Sequence, residues 1–303
     1  MKIIFLGTSG SVPTPKRGAP AIAVVRENEL FLFDCGEGTQ QKIITAGLGF
    51  GRRTRILVTH LHGDHLYGLP GLMQTMSLLG RERPLQIYGP KGIGVFLGFF
   101  SAMFGNVGFP VEIQEIAEKG VVCSGKGYQI LAAPLDHSTH GWSYALVEDP
   151  RPGRFHPEKA LELGIPKGRL WKEIQEGRNV TLQDGRTIRP GDIVESPRPG
   201  RKIVYSGDTR PNTDLVELAR DADVLIHEST FGDELADKAL LDGHSTPSQA
   251  GEAAAKARVG LLLLTHISPR YVDTTSLLEE ARKVFGESRI AEDLMKIEIP
   301  LKN

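Results

Sequence analysis

The sequence predicts an α/β layered fold. Three observations carry this reading: ten short apolar runs of strand type, helical patterns between some of them, and five runs that end at or just before a residue able to bind a metal. The strand runs are "KIIFL", "AIAVV", "LFLFD", "RILVT", "LQIYG", "YQILAA", "WSYALV", "KIVYS", "DVLIH" and "LLLLTH". With 303 residues the chain has ample length for a sizeable core, as one large domain or two small ones. A net charge of −1 provides no global basic field, which counts mildly against nucleic acid unless a local patch serves. Cys35 and Cys123 are the two cysteines, too few for a disulfide framework, so a reducing cytoplasm is expected.

The elements follow in chain order. "MKIIFLGTSGSVPTP" opens with a strand that soon meets Gly, Ser and Pro, and it does not read as a signal peptide. "HLYGLPGLMQTMSLLG" (65–80) spaces Leu66, Leu69, Leu72, Met73 and Met76 along one helical face, with Pro70 early or at a kink. "GIGVFLGFFSAMFG" (92–105) is too short to span a bilayer and reads as a core helix or a partner-facing helix. Residues 148–202 are dense in proline, glycine and charge, and too long for an ordinary loop. They predict two small helices joined at "GIPKG" and a hairpin around "QDGR", as an excursion from the main body. The excursion's basic residues include Arg151, Arg154, Lys167, Arg169, Lys172, Arg178, Arg198, Arg201 and Lys202. Two readings stand: a solvated lobe or dimer contact, and an arm that grips a polyanion. "TPSQAGEAAAKARVG" (246–260) predicts a helix capped by Thr246, with Pro247 first and Gln249 closing a capping box. "TTSLLEEARKVFGE" (274–287) predicts an amphipathic helix ending near Gly286.

The strand ends carry the chemistry. "RILVT" leads to His60, "LAAPLD" to His137, "IVYSG" to Asp208, "DVLI" to His227 and "LLLLT" to His266. In α/β proteins ligands gather beyond strand ends, where loops converge, so these polar groups point to one shared site. "HLHGDH" packs three histidines and an aspartate into six positions, and imidazole with carboxylate is the usual donor set for zinc and similar cations. His60 and His62 can face one metal; after a turn at Gly63, Asp64 and His65 can face a second. Asp208 can bridge through its two oxygens. The sets are then His60, His62, His137 and Asp208 for one ion, and Asp64, His65, Asp208 and His266 for the other. Such paired metals, about 3.5–4 Å apart, suit in-line displacement at phosphate.

"HLHGDH" with a downstream His, Asp and His resembles the metallo-β-lactamase superfamily. "FLGTSGSVPT", "FDCGEGTQ", "GDHLYGLPGL", "YSGDTRP", "HESTF", "HST" and "LTHISPRY" narrow the resemblance to the ribonuclease Z family of tRNA 3′-processing endonucleases. The resemblance spans nearly the whole chain, and "HEST", "HST" and the inserted arm are its specific signals. It implies an αββα sandwich of two mixed sheets flanked by helices, 1–303 as a single domain with a protruding exosite arm at about 148–202 that holds the tRNA elbow. It implies the two ligand sets above, two zinc ions per subunit (manganese or cobalt as substitutes), Asp64 as base toward the attacking water, and Glu228 with His244 as a proton relay to the leaving oxygen. A ribose 3′-oxygen leaves poorly as an alkoxide, so a carboxylate-held His⁺ has work to do. It further implies precursor tRNA as substrate and a cytoplasmic homodimer, with no membrane or DNA partner.

The other candidates have plainer readings. His227 reads as an orienting neighbour, His140 as an alternative to His137 that the family register disfavours, and His156 as a surface residue. Cys35 and Cys123 read as buried thiols, and Asp34 as a buried carboxylate that the resemblance places beside the ligands. "PTPKRGAP" (13–20) departs from the bacterial loop P-x-K-x-R-N: Lys16 and Arg17 are present, but the spacing differs and the asparagine is missing. This leaves precursor choice around an encoded CCA open. The competing functions are a small-ester or phosphodiester hydrolase of the same superfamily and a non-catalytic binding module, against which the full ligand set argues.

Overall fold

The computed structural model describes residues 1–302. The first half of the chain runs β1 (Lys2–Gly7), β2 (Ala21–Arg26), β3 (Glu29–Phe33), α1 (Thr39–Thr45), β4 (Arg53–Leu57), α2 (Gly63–Leu66), α3 (Gly68–Leu78), β5 (Leu85–Pro90), α4 (Ile93–Phe104) and β6 (Val111–Ile116). It continues through β7 (Gly120–Gly125), β8 (Tyr128–Pro134) and β9 (Trp142–Glu148), then α5 (Pro157–Glu162), α6 (Arg169–Gln175), β10 (Val180–Thr181) and β11 (Thr187–Ile188). The last part holds β12 (Lys202–Tyr205), α7 (Thr213–Ala219), β13 (Val224–Glu228), α8 (Ala236–Asp242), α9 (Pro247–Ala257), β14 (Leu261–Thr265), α10 (Thr275–Val284), β15 (Ser288–Ile290) and β16 (Lys296–Glu298). Residues Met1–Val147 and Lys202–Pro300 form one compact unit, and Glu148–Arg201 belong to a second.

The larger unit holds two seven-stranded sheets, ordered β16-β1-β2-β3-β4-β5-β6 and β15-β14-β13-β12-β9-β8-β7. Both are mixed. In the first, β1 to β3 pair antiparallel and β3 to β6 parallel. In the second, β9 and β12 pair antiparallel and β12 to β15 parallel. Side chains alternate across each strand, so the central strands serve two cores. Ile3, Phe5, Phe31 and Phe33 meet Tyr144, Leu146, Tyr205 and Ile226 between the sheets. Ile4, Leu6, Leu30 and Leu32 instead pack under α3 and α4 through Leu69, Leu72, Met76 and Leu97. On the second sheet Val204, Leu225, Leu262 and Leu264 pack under Leu215 of α7, Ala250 and Ala254 of α9, and Ala281 of α10. The result is the αββα sandwich, and it carries all five of the strand ends singled out in the sequence.

Helix chemistry follows the sequence closely. Thr246 caps α9, Pro247 opens it, and Thr246 N–H donates to Gln249 Oε1 at 2.9 Å. Pro70 sits in the first turn of α3, where its missing N–H has no partner to lose. α4 is not a wholly buried core helix: Ile93 and Leu97 are buried, but Val95, Phe99, Met103 and Phe104 are exposed. No helix among the described residues is long and apolar enough to cross a membrane. The sequence reading misses β6, whose side chains are mostly exposed, and β7, β15 and β16, which are short or polar.

The smaller unit has its own core of Ala160, Ile165, Ile174, Val180, Ile188 and Ile193. It consists of two short helices and the hairpin β10–β11, turning at Gly185 with φ 85. Arg201 forks onto Glu148 with Nε–Oε2 2.6 Å and Nη2–Oε1 2.8 Å, both side chains largely buried. Arg201 therefore closes the unit's base rather than offering a free cation, and Lys202 is the first residue of β12. Residues 148–201 hold eleven Lys and Arg against nine Asp and Glu, a weaker basic surplus than the sequence reading weighed. Arg169, Arg178 and Arg186 are paired with Glu173, Glu176 and Asp184.

α3 starts beside the loop after β3, and only glycine fits there. A Cβ on Gly68 would lie 1.9 Å from the Gly36 carbonyl oxygen. Gly68→Ala should therefore destabilise the fold by roughly 1–3 kcal/mol, read as a lower denaturant midpoint. An unchanged midpoint would show that the backbone yields there without penalty.

Candidate metal centre and active site

Two side-chain clusters converge at the C-terminal ends of β4, β8, β12 and β14. In the first, His60 Nε2 lies 3.0 Å from His62 Nδ1, and His137 Nε2 lies 3.3 Å from the same atom. Three ring nitrogens facing one another repel unless a proton or a cation sits among them. In the second, His65 Nε2 and His266 Nε2 each lie 3.2 Å from Asp208 Oδ2 and 3.5 Å from Asp64 Oδ2. His60 Nε2 is 3.7 Å from Asp208 Oδ2, so the Asp208 carboxylate stands between the clusters.

The backs of the rings are tied down. His60 Nδ1 meets Thr59 Oγ1 at 3.0 Å, His65 Nδ1 meets Asp34 Oδ2 at 2.8 Å, and His266 Nδ1 meets Thr230 Oγ1 at 2.8 Å. His137 Nδ1 donates to the Gly243 carbonyl at 2.7 Å. Each bond fixes the tautomer that leaves Nε2 as a bare lone pair aimed at the site. His65 Nε2, His266 Nε2 and Asp208 Oδ1 are buried without a hydrogen-bond partner. Orphaned acceptors of this kind are costly in an apolar interior, and a divalent cation satisfies them. The donor set of imidazole and carboxylate therefore fits a bound metal ion, and each cluster supplies at least three donors within reach of one another.

Backbone strain places two of these groups. His266 (φ 57) and Asp34 (φ 58) occupy the left-handed region although neither is glycine. The turn before Asp208 uses Gly207 at φ 62, against Thr59. Burial lowers the basicity of His60, with His65 adding to the effect. Burial also opposes the ionised form of Asp208, but His266 and His65 outweigh it and hold the carboxyl well below its usual range.

A third cluster lies alongside. Glu228, fully buried at the end of β13, accepts from His244 Nδ1 at 2.9 Å and Thr209 N–H at 3.0 Å through Oε1. Its Oε2 accepts from Thr230 Oγ1 at 2.6 Å and Thr230 N–H at 3.1 Å. Burial pulls the His244 pKa down, but the Glu228 carboxylate prevails and raises it to about 9. His244 Nε2 makes no hydrogen bond among the described residues, while Nδ1 is held by Glu228.

Every site residue expected from sequence thus lies in this region: His60, His62, Asp64, His65, His137, Asp208, Glu228, His244 and His266. Several neighbours read differently. Gly63 is not at a left-handed turn; it starts α2, and a Cβ there would lie 2.2 Å from the Tyr67 ring. His227 orients no ring; its Nδ1 donates to the Glu228 carbonyl at 2.7 Å. His140 is exposed and packs edge-on to Trp142, away from the clusters. His156 is half-buried, held between Glu158 and Glu195. Arg17 is folded inward onto Thr8 Oγ1 and the Ala291 carbonyl, whereas Lys16 is exposed. The sequence reading did not single out Thr59, Thr209 or Thr230: the hydroxyls of Thr59 and Thr230 meet His60 and His266, and the Thr209 N–H meets Glu228. Their places next to His60 and Asp208 and two residues after Glu228 are the signal that could have found them.

Asp34 accepts from Thr59 N–H, Thr59 Oγ1, His65 Nδ1 and Tyr205 OH. Removing it frees His65 to rotate. Asp34→Ala should weaken zinc binding on the order of 10–100-fold, measured by chelator competition. Unchanged affinity would mean that packing alone holds the ring.

The chain matches the family described as Beta-lactamase superfamily domain over residues 172–267, and that described as Anti-Pycsar protein Apyc1 over 1–95. It is 47% identical to a ribonuclease Z of Methanosarcina acetivorans, covering 100% of this chain and 99% of that protein. It is 42% identical to a ribonuclease Z of Myxococcus xanthus, covering 100% of this chain and 99% of that protein. Among solved structures, human tRNase Z, short form, superposes with a TM-score of 0.74 at 31% identity, covering 99% of this chain and 100% of that one. With matched identity across its whole length and the αββα sandwich in place, the chain belongs to the ribonuclease Z family of the metallo-β-lactamase superfamily.

Proposed function

We propose that this protein is a zinc-dependent endoribonuclease that removes the 3′ trailer from precursor tRNA, leaving a 3′-hydroxyl on the tRNA and a 5′-phosphate on the trailer. The observation that carries this reading is the His244–Glu228 pair beside two metal-fitting clusters, in a chain that matches ribonuclease Z end to end. His60, His62, His137 and Asp208 would hold one zinc ion, and Asp64, His65, Asp208 and His266 the other. When bound, such a pair supplies Lewis-acid activation of water and of the scissile phosphate.

The remaining work falls to the chain. Ser11 N–H donates to Asp64 Oδ2 at 3.0 Å, fixing a carboxylate that orients the attacking water and accepts its proton. Burial favours protonation of Asp64, but His266 and His65 hold its pKa below the usual range, so its basicity is modest. His244, kept protonated by Glu228, delivers a proton to the departing ribose 3′-oxygen as the P–O bond breaks. Thr230 and Thr209 hold Glu228 in the orientation this requires.

The smaller unit is assigned the role of an RNA-gripping arm. Arg154, Lys159, Lys167 and Arg189 are exposed and make no ion pair among the described residues, so they are among the cations free to meet phosphates. We further assign the exposed apolar side of α4, with a groove of about 400 Å³ lined by Pro70, Met73, Leu97, Phe100 and Phe104, to a homodimer contact in the cytoplasm. Phe99→Asp should then give a monomer by light scattering; a dimer retained at micromolar concentration would move the contact elsewhere.

Asp208→Ala should abolish turnover together with metal occupancy, whereas His244→Ala should keep its metal and slow cleavage by roughly 10²–10⁴-fold. Equal metal loss in both variants would contradict this division. Val147 and Lys202 are register partners in β9 and β12, so a short linker can replace 150–200 without breaking the sheet. That deletion should retain cleavage of a small phosphodiester and lose cleavage of precursor tRNA. Full pre-tRNA activity would remove the arm from recognition, and small-ester activity alone in the intact protein would favour a small-molecule hydrolase. Precursor binding should also weaken as salt rises.

A further inference from the structure

The turn after Asp208 contains a side chain that the chemistry above does not use. Arg210 is about one-quarter exposed and reaches in three directions at once. Its Nε donates to the Leu240 carbonyl at 2.6 Å and Nη2 to the Leu241 carbonyl at 3.3 Å. Its Nη1 contacts Asp136 Oδ1 at 3.1 Å. Leu240 and Leu241 lie in the last turn of α8, whose carbonyls have no partner within the helix and which carries the negative end of the helix dipole. A guanidinium there both satisfies the carbonyls and opposes that charge.

The residues it joins are immediate neighbours of the machinery. Asp136 precedes His137. Leu241 is followed by Asp242, then Gly243 at φ 87, whose carbonyl holds His137 Nδ1, and then His244. Ser245 Oγ closes the same segment onto the Thr209 carbonyl at 2.6 Å. One side chain on the Asp208 turn thus fixes where α8 ends and therefore where both the Gly243 carbonyl and the His244 ring stand.

We infer that Arg210 is a positioning residue that sets two groups at once: His137 in the metal centre, through Asp136 and Gly243, and the proton-donating ring of His244, through the end of α8. This rests on the tRNA-trailer cleavage proposed above. The Arg210 N–H bond to the Asp136 carbonyl at 2.8 Å involves backbone only, so Arg210→Ala removes the three side-chain contacts and leaves the turn connected.

The test compares two precursor tRNAs, one with the ordinary 3′-oxygen and one with a 3′-bridging sulfur at the scissile bond. A thiolate leaves without a proton, so a defect in His244 placement is relieved on the sulfur substrate. With zinc saturating, Arg210→Ala should lower kcat on the oxygen substrate on the order of 10–100-fold with KM unchanged. Most of that loss should vanish with sulfur, as it should for His244→Ala, and the double variant should be no slower than His244→Ala alone. Zinc affinity, read by chelator competition without any turnover, should fall as well because His137 loses its anchor. Equal losses on both substrates, a loss that multiplies with that of His244→Ala, or unaltered zinc affinity would each overturn the assignment. Should the alanine variant not fold, Arg210→Lys, which keeps the charge but loses the fork, carries the same comparison. If the wild-type protein cleaves neither precursor, the proposed function fails, and the zinc measurement still tests the anchoring of His137.

Discussion

A buried carboxylate is tolerated only when its lone pairs are filled, and Asp34 fills its own with donors from both sheets. Thr59 and His65 come from the loop and helix that follow β4 of the first sheet, and Tyr205 from β12 of the second. The same carboxylate therefore joins the two halves of the sandwich at the base of the metal centre and sets the tautomer of His65. Through the Thr59 hydroxyl, which donates to Asp34 and accepts from His60, it also sets His60. The remaining ligands rely on that fixed base, because Asp208 takes its position relative to His65 and His60.

The outer shell repeats this logic with cheaper groups. Thr230 donates to Glu228 and accepts from His266, linking a group assigned to proton transfer with one assigned to metal binding through a single hydroxyl. The Gly243 carbonyl holds His137 one residue before His244 begins. The groups assigned to proton delivery and to metal binding thus share supports, and a change in a shared support should be felt by both. Left-handed backbone at His266 and Asp34 fits a region where the surrounding bonds over-determine the chain.

The residues that gather in the site were legible in the sequence because they obey two local rules. They follow directly on apolar strands, and their chemistry is expensive anywhere except around a cation. "HLHGDH" satisfies both rules within six residues. The core strands were equally legible, since β1 and β12 to β14 are apolar on both faces and must be covered on both. β6 was not, because its exposed, charged pattern reads as solvated chain until an edge of the sheet is there to receive it.

By itself the sequence determined the α/β layering, the capped helix at Thr246, the excursion after β9 and the residues that gather in the site, since these follow from local pattern and chemical type. Tertiary structure alone decided which nitrogen of each ring faces inward, that Arg201 and Arg17 are spent on internal contacts, and that the Gly36 carbonyl leaves no room for a side chain at Gly68. The reason is physical: tautomers, spent cations and close approaches depend largely on partners that the fold brings in from elsewhere in the chain, and no local spacing encodes where those partners stop.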